Sequence, residues 1–513
     1  MKSKSILFRY LPARPLAVIA AATAIWVAPS AIESSLALAQ NLPNLGDTER
    51  AELSPQLERK LGEQIMRDIR RDRDYIDDAP ITEYLNSFGN GLVTIRPEAR
   101  GETNYDYFFF AVRDPMLNAF ALPGGFIGVH SALLLAAQNE SELASVLAHE
   151  IGHVAQRHIA RMLGQQRQDS LIPLASAVLA ALAARGSPDA SAALLMGGQG
   201  VALQRQLNFS RDAEREADRI GLQILRDAGF DTSGMIAFFG RMQTATRGYT
   251  DTAPAYLRSH PLTTERIADI QARTRDQRYR QRADSLDFHL VRARMRVLQD
   301  ASAQGLRDAL VAFDTQQQQK TRNQVVSALY GKAMVSLRRG ALAEARSLLQ
   351  EAQAAAQGPS ALVQNAVLSS LSIEIKLAAN QSSEALKEAD SARQKFPLSR
   401  GIARQYADAL IAAGRHDEAV NYLRDQAQLY RQEPKLYEQL ARAYSAQGKQ
   451  ALQHLALAEA YGLQGSVLAA IDQLGIARRS PDASFYDQSV IDAREREFKA
   501  RWMEELKEGQ RER

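Results

Sequence analysis

A chain of 513 residues is too long for one ordinary hydrophobic core and implies two or three domains, while 45% hydrophobic and 24% charged residues exclude a disordered polypeptide. There is no cysteine, which excludes disulfides, thiolate-held metals and a lipid carried on a cysteine thioether. The formal charge of +4 is mostly a property of the N-terminus: without Lys2, Lys4, Arg9, Arg14 and Glu33, the 63 basic and 59 acidic residues become 59 and 58, which leaves no field suited to nucleic acid.

The N-terminus has the form of an export signal. Those four basic residues precede the apolar stretch "PLAVIAAATAIWVAP", and "ALAQ" supplies a small-x-small site that predicts export with cleavage after Ala39. An uncleaved anchor is the competing reading, but the apolar stretch is short for a membrane span. No later run reaches the length of a span, so a soluble mature protein with at most peripheral membrane contact is expected.

Residues 53–73 and 81–95 have amphipathic helical patterns, and the aromatic-rich "YDYFFFAV" (105–112) predicts a strand. "NAFALPGGFIGV" (118–129) has strand composition interrupted by Pro123, Gly124 and Gly125, which predicts a bent or edge strand or a hairpin. Helices are expected over 130–138 and 141–162. The apolar "LIPLASAVLAALAA" (171–184) fits a lid, a membrane-touching segment or a buried helix, and is too short to span a bilayer. Asn208 or Ser210 can cap a helix running from Arg211 to Ala228, which Gly229 would end.

Within the 141–162 helix lies "SVLAHEIGHVAQRH". Residues four apart share a helix face, so His149 and His153 can aim imidazole nitrogens at one ion while Glu150 stands about 100° round, beside that ion. This is the H-E-x-x-H pattern, in which two histidines hold zinc and the glutamate is general base. The bland alternative is a pair of satisfied histidines on a partly buried helix. Catalytic zinc needs a third protein ligand. Gln156 occupies the position where a helical extension of the motif would have glycine, and His158, about 140° from His153 on a continuous helix, is expected to point elsewhere. "NFSRDAEREADRIG" can supply the ligand: Glu214 and Asp218 share a face, one to hold zinc and the other to accept the free N–H of a ligand histidine, with Glu216 on the opposite side. By itself this segment also reads as a solvated charged face with Arg211, Arg215 and Arg219.

Beyond residue 290 the strand signals end and a period of 34 appears, pairing Ala385 with Ala419, Tyr406 with Leu440, Ala407 with Ala441 and Gly414 with Gly448. That is the tetratricopeptide period; the alternative is an ordinary helical bundle in an alanine-rich tail. The expected class is α+β, mainly α: a zincin-like metallopeptidase domain with a small sheet over 45–285, followed by an all-α tetratricopeptide solenoid over 290–513.

"HEIGH" followed by "SRDAEREAD", with "NAFALPGGFIGV" upstream and "SHPLTTERI" downstream, resembles the CAAX-protease and HtpX-like zinc metallopeptidases, the gluzincins. An export signal in place of membrane spans, together with C-terminal repeats, makes the chain most similar to their periplasmic β-barrel assembly branch. The resemblance implies one zinc per chain, held by His149, His153 and Glu214, with Glu150 as catalytic base. It also implies action on misfolded or stalled outer-membrane proteins, some assistance to their assembly, and contact between the repeats and the assembly machinery. Asn118, Ala119 and Phe120 would line the cleft and pair with an extended substrate. His260 would serve the oxyanion or cap zinc's open position, unless it is a plain loop histidine; Arg266 would serve the oxyanion or a salt bridge. Two rival readings remain: a repeat-based scaffold or chaperone with a latent or structural metal site, and a surface-bound enzyme that touches lipid through 171–184.

Overall fold

The computed structural model describes residues 53–96, 101, 104–164, 211–246, 260–261, 263–275, 282–357 and 364–511. The export signal and the apolar stretch 171–184 lie outside the described residues.

Two helices, α1 (Pro55–Arg71) and α2 (Ala79–Ile95), precede a three-stranded sheet; each has a proline in its first turn and a side-chain cap, Ser54 and Asp78 respectively. The strands are β1 (Phe108–Val112), β2 (Ala119–Leu122) and β3 (Phe126–His130). Their order is β1-β3-β2, with β1 parallel and β2 antiparallel to β3, so the "NAFALPGGFIGV" stretch is a hairpin whose first strand lies at the sheet edge. Gly124 and Gly125 turn the chain at φ of 77° and 91°, values that side chains with a Cβ rarely adopt. Alternation along the strands divides the side chains between two layers. Phe109, Ala111, Ala119, Ile127 and Val129 join the main core, whereas Phe110, Leu122 and Phe126 meet Leu61, Ile65 and Met66 of α1.

The main core is organised around α4 (Glu140–Ala155), which follows the short helix α3 (Ser131–Ala136). Every residue of α4 is buried, as expected of a helix enclosed on all sides. Its neighbours include α6 (Arg211–Asp227), α7 (Ser233–Thr246), α2 and strand β2. Helices α4 and α6 approach at two glycines: a Cβ on Gly152 would stand 2.9 Å from the Ala217 carbonyl oxygen, and one on Gly221 would stand 3.2 Å from the Ala148 carbonyl carbon. That close approach brings the carboxylates of α6 to the histidines of α4.

The continuous helix expected over 141–162 is in fact two. It ends at Gln156, Arg157 takes a left-handed φ of 51°, and α5 (His158–Gly164) starts on a new axis. Left-handed backbone is costly for a residue with a side chain. Here it is held in place, because Arg157 Nε reaches Glu58 Oε2 at 3.1 Å and its guanidinium also bonds the Leu53 carbonyl.

After α8 (Thr264–Thr274) and α9 (Leu286–Gln299), the regular elements among the described residues are all helices: α10 (Ala303–Gln317), α11 (Arg322–Arg338), α12 (Leu342–Ala356), α13 (Ala366–Ala378), α14 (Ser382–Lys395), α15 (Arg400–Ala412), α16 (His416–Leu429), α17 (Pro434–Ala446), α18 (Gln450–Leu463), α19 (Val467–Arg479) and α20 (Phe485–Arg511). Five of the connections share one device. A left-handed residue, Gly340, Asn380, Gly414, Gly448 or Gly465, ends a helix, and the next N–H returns to the carbonyl five residues back, as in Arg415 to Leu410 and Lys449 to Tyr444. Asn380, Gly414 and Gly448 recur at the 34-residue spacing; asparagine tolerates this conformation better than most residues.

The helical array and the sheet-bearing part share buried contacts. The main core runs without interruption from Ile76 to Ile375, across the 285–290 boundary expected from sequence. Buried Arg294 on α9 bonds both Asp78 oxygens at 2.8 Å, the Tyr330 hydroxyl at 3.1 Å and Glu374 at 2.8 Å. Glu83 on α2 accepts from the Ser399 hydroxyl at 2.8 Å and the Gly401 N–H at 2.5 Å, at the start of α15.

Replacing Gly152 by Val forces α4 and α6 apart. Overpacking of this kind costs about 1–3 kcal/mol, so the thermal midpoint and the metal affinity should fall together; an unchanged melting curve would show that the two helices do not touch at this point.

Candidate metal centre

Four side chains from three segments converge in the core. α4 contributes His149 and His153, α6 contributes Glu214, and the loop before α8 contributes His260; all four are buried, and one donor atom of each lies within 4.8 Å of the others. His149 Nε2 is 3.0 Å from His153 Nε2 and 3.3 Å from His260 Nδ1. Glu214 Oε1 is 2.9 Å from His260 Nδ1 and 3.4 Å from His153 Nε2, and Glu214 Oε2 is 3.5 Å from His149 Nε2. Zinc bonded at about 2.0–2.2 Å in a tetrahedron separates its ligand atoms by roughly 3.3–3.5 Å. Three of these separations, 3.3–3.5 Å, match that figure and two, 2.9 and 3.0 Å, are shorter, so the ligands would move apart slightly around the ion; imidazole nitrogens with a carboxylate oxygen form a donor set suited to zinc. So many lone pairs enclosed together need a cation between them.

The neighbouring groups orient this quartet. Asp218 Oδ1 stands 2.9 Å from His149 Nδ1, which directs Nε2 inward. Arg266 grips Asp218 with two bonds of 2.8 and 2.9 Å, approaches Glu214 Oε2 at 2.6 Å, and donates to the Pro261 carbonyl at 3.0 Å, which ties down the loop bearing His260. Of the two roles expected for Arg266, the geometry is that of the salt bridge. Glu150 is fully buried; the Ala121 backbone N–H of β2 is turned toward its carboxylate, and His260 Nε2 is 3.7 Å from Oε1.

Burial raises the pKa of Glu150, with nearby imidazoles opposing the shift. Burial works the other way on His149, but Asp218 and Glu214 outweigh it and push the pKa up to about 10. His153 is held well below its usual value by burial. Glu214 lies well below the carboxylate range because the three imidazoles overcome the cost of its burial, and Asp218 is lowered by His149 and Arg266. At neutral pH a proton and a metal therefore compete for His149.

Asn118, Ala119 and Phe120 occupy the start of the edge strand. Asn118 is buried, its carbonyl accepts from His130 N–H at 3.0 Å, and its Oδ1 has no partner among the described residues. That bond, with the antiparallel register, places residues 118, 120 and 122 in the hydrogen-bonded pairs with β3 and directs the N–H and C=O of Ala119 and Ala121 to the side away from β3, where the Ala121 N–H faces Glu150. The Phe120 ring packs edge-on against Phe110 at 5.9 Å between centroids, on the α1 side of the sheet.

His158 corrects the expectation from helical geometry. Its Nδ1 lies 2.9 Å from His153 Nδ1, and its Nε2 lies 3.2 Å from Glu216 Oε2, so Glu216, expected on an unrelated face, also reaches the centre's periphery. Nothing in the spacing shows this; it follows from the break at Arg157. His130, by contrast, lies away from the quartet, buried beside the Met116 carbonyl at 3.1 Å.

Comparison with known proteins accords with this geometry. Residues 83–274 match the model of Peptidase family M48. The chain is 32% identical to the Beta-barrel assembly-enhancing protease of Escherichia coli K12 over 95% of its own length and 96% of that protein, and 31% identical to the Yersinia pestis protein of that name over 88% and 90%. The chain belongs to peptidase family M48. The Mitochondrial metalloendopeptidase OMA1 of Schizosaccharomyces pombe is 33% identical over 37% of this chain and 52% of its own. This M48 peptidase is accordingly a zinc metallopeptidase, and the buried quartet is suited to its metal.

Two outcomes follow for the M48 peptidase. Zinc added to metal-free protein at pH 7 in dilute buffer should release about one proton per ion as it displaces the proton of His149; uptake without release would contradict the raised basicity of that imidazole. Arg266→Leu leaves two buried carboxylates without their cation, at a cost of about 3–5 kcal/mol, and calorimetry should show a correspondingly lower midpoint.

Proposed function

We propose that this protein is a periplasmic zinc endopeptidase that cuts misfolded or stalled outer-membrane proteins at an internal site, with His149, His153 and Glu214 as zinc ligands and Glu150 as general base. The observation that carries the assignment is Glu150: a fully buried carboxylate on the helix that bears two of the convergent donors, with His260 Nε2 at 3.7 Å from its Oε1. Zinc, when bound, supplies a Lewis acid that polarises the scissile carbonyl and acidifies water. Glu150 takes the proton of the attacking water on a carboxylate oxygen and delivers it to the leaving amine. Burial raises the pKa of Glu150, which makes it a stronger base for the first step. Asp218 holds the tautomer of His149, and Arg266 holds Asp218.

An extended polypeptide adds as a strand along the side of β2 turned away from β3, which selects unfolded segments over folded ones. Asn118, Ala119 and Phe120 belong to this strand, and the Asn118 amide lies at its entry. Residues 1–39 act as the export signal, residues 45–285 form the peptidase domain, and residues 290–513 form a tetratricopeptide solenoid that presents substrates or docks on the barrel-assembly machinery. The names of the relatives, the 34-residue spacing of Asn380, Gly414 and Gly448, and the charge balance without the leader support this reading. Among the described residues no helix is long and apolar enough to cross a membrane.

A second reading is favoured by one contact. His260 Nδ1 completes the quartet and stands where water would sit in a working site, so the resting enzyme is latent and the repeats can serve assembly without cleavage.

Glu150→Gln should lower cleavage of an unfolded β-barrel precursor by at least about 100-fold while one zinc per chain is retained; undiminished cleavage would overturn the mechanism. His260→Ala should keep zinc and cleave faster. Loss of cleavage with zinc retained would instead place His260 in the reaction itself.

A further inference from the structure

The two zinc-facing imidazoles of α4 are supported differently. His149 meets a carboxylate directly, with Asp218 Oδ1 at 2.9 Å from Nδ1. His153 meets another imidazole: His158 Nδ1 lies 2.9 Å from His153 Nδ1, and the far side of that ring, Nε2, lies 3.2 Å from Glu216 Oε2. The His158 ring is buried and set at 74° to that of His153, with centroids 4.9 Å apart.

Proton positions along this line are determined by its two ends. His153 Nε2 faces His149 Nε2 at 3.0 Å and Glu214 Oε1 at 3.4 Å, so Nε2 is the atom turned to the metal and must present a lone pair. The one ring proton of a neutral His153 is then on Nδ1, which donates to His158 Nδ1. His158 must accept there, so its own proton is on Nε2 and is donated to Glu216. Each nitrogen in the line has one compatible role, and a carboxylate stands at the end, as it does for His149. Glu216 is also partly exposed and flanked by Arg161 at 3.7 Å and Arg219 at 3.9 Å.

We propose that His158 and Glu216 are positioning residues for the metal centre: a relay, carboxylate to imidazole to imidazole, that fixes the Nδ1–H tautomer and ring angle of His153 from two steps away. The relay depends on the helix break. Were α4 continuous through residue 158, His158 would project about 140° from His153; the left-handed Arg157, anchored on Glu58 and the Leu53 carbonyl, returns it beneath the ligand. Groups of this kind that orient a metal-binding histidine typically change affinity by about 10–100-fold when removed.

The inference rests on the reading of His153 as a ligand, and the test separates the two. Zinc affinity of the full exported chain is measured by competition with a chromophoric chelator for His153→Ala, His158→Leu, His158→Asn and Glu216→Gln. His153→Ala should lose most affinity; if it keeps wild-type affinity, the ligand assignment fails. With that loss in hand, His158→Leu should weaken zinc binding about 10–100-fold. His158→Asn, whose amide oxygen can stand in for Nδ1 as acceptor, should recover part of the loss, and Glu216→Gln should weaken binding by a smaller factor. Wild-type affinity in both His158→Leu and Glu216→Gln would overturn the relay. If His158→Leu fails to fold, the partly exposed Glu216→Gln and the conservative His158→Asn carry the result. Nitrogen-15 spectra of histidine-labelled, zinc-loaded protein give an independent signature: His158 should carry its proton on Nε2 with Nδ1 bare, and the opposite tautomer would contradict the proposal.

Discussion

The close approach of α4 and α6 is the constraint from which the centre follows. At Gly152 and Gly221 each helix meets the backbone of the other with no room for a side chain, and this spacing lets a glutamate on one reach imidazoles on its neighbour. Both helices are deep in one hydrophobic core, so every polar group they carry inward is removed from water. Enclosing two histidines, a glutamate and an aspartate there is unfavourable unless their charges are shared. Asp218 and Arg266 share part of it, and a divalent cation bound by the quartet shares the rest.

The same economy of charge extends outward in two directions. On one side Arg266 joins Asp218, Glu214 and the carbonyl after His260, so the loop that supplies the fourth donor is coupled to the third. On the other, Arg157 secures the helix break that brings His158 under His153. The edge strand β2 runs alongside α4, and the Ala121 N–H is turned toward Glu150 on that helix. The helical array is not appended to this assembly by a loose tether. Arg294 and Glu83 bond across the junction, and the core passes through it, so motion of the C-terminal helices relative to the sheet-bearing part must disturb buried ion pairs.

Much of this was legible in the sequence, for identifiable physical reasons. His149, His153, Glu214 and Asp218 stand on helices with strong local patterns, and helical periodicity places residues four apart on one face whatever the tertiary context. The hairpin was visible because Pro123, Gly124 and Gly125 interrupt a strand-like run. Periodicity misplaced His158 and Glu216, because it assumes an unbroken helix and the left-handed Arg157 is stabilised by groups about 100 residues earlier in the chain. The same limit applies to Arg266: composition leaves its role open, and only the bidentate contact with Asp218 decides it. Continuity of the core across residue 290 was also invisible, since a change of pattern marks where element types change and not where packing stops.

The most direct test of the account is anomalous diffraction at the zinc edge from crystals of the zinc-loaded protein. A single strong peak within about 2.0–2.2 Å of His149 Nε2, His153 Nε2 and a Glu214 carboxylate oxygen is the predicted result. A peak coordinated elsewhere, or one from which Glu214 stands apart, would contradict it.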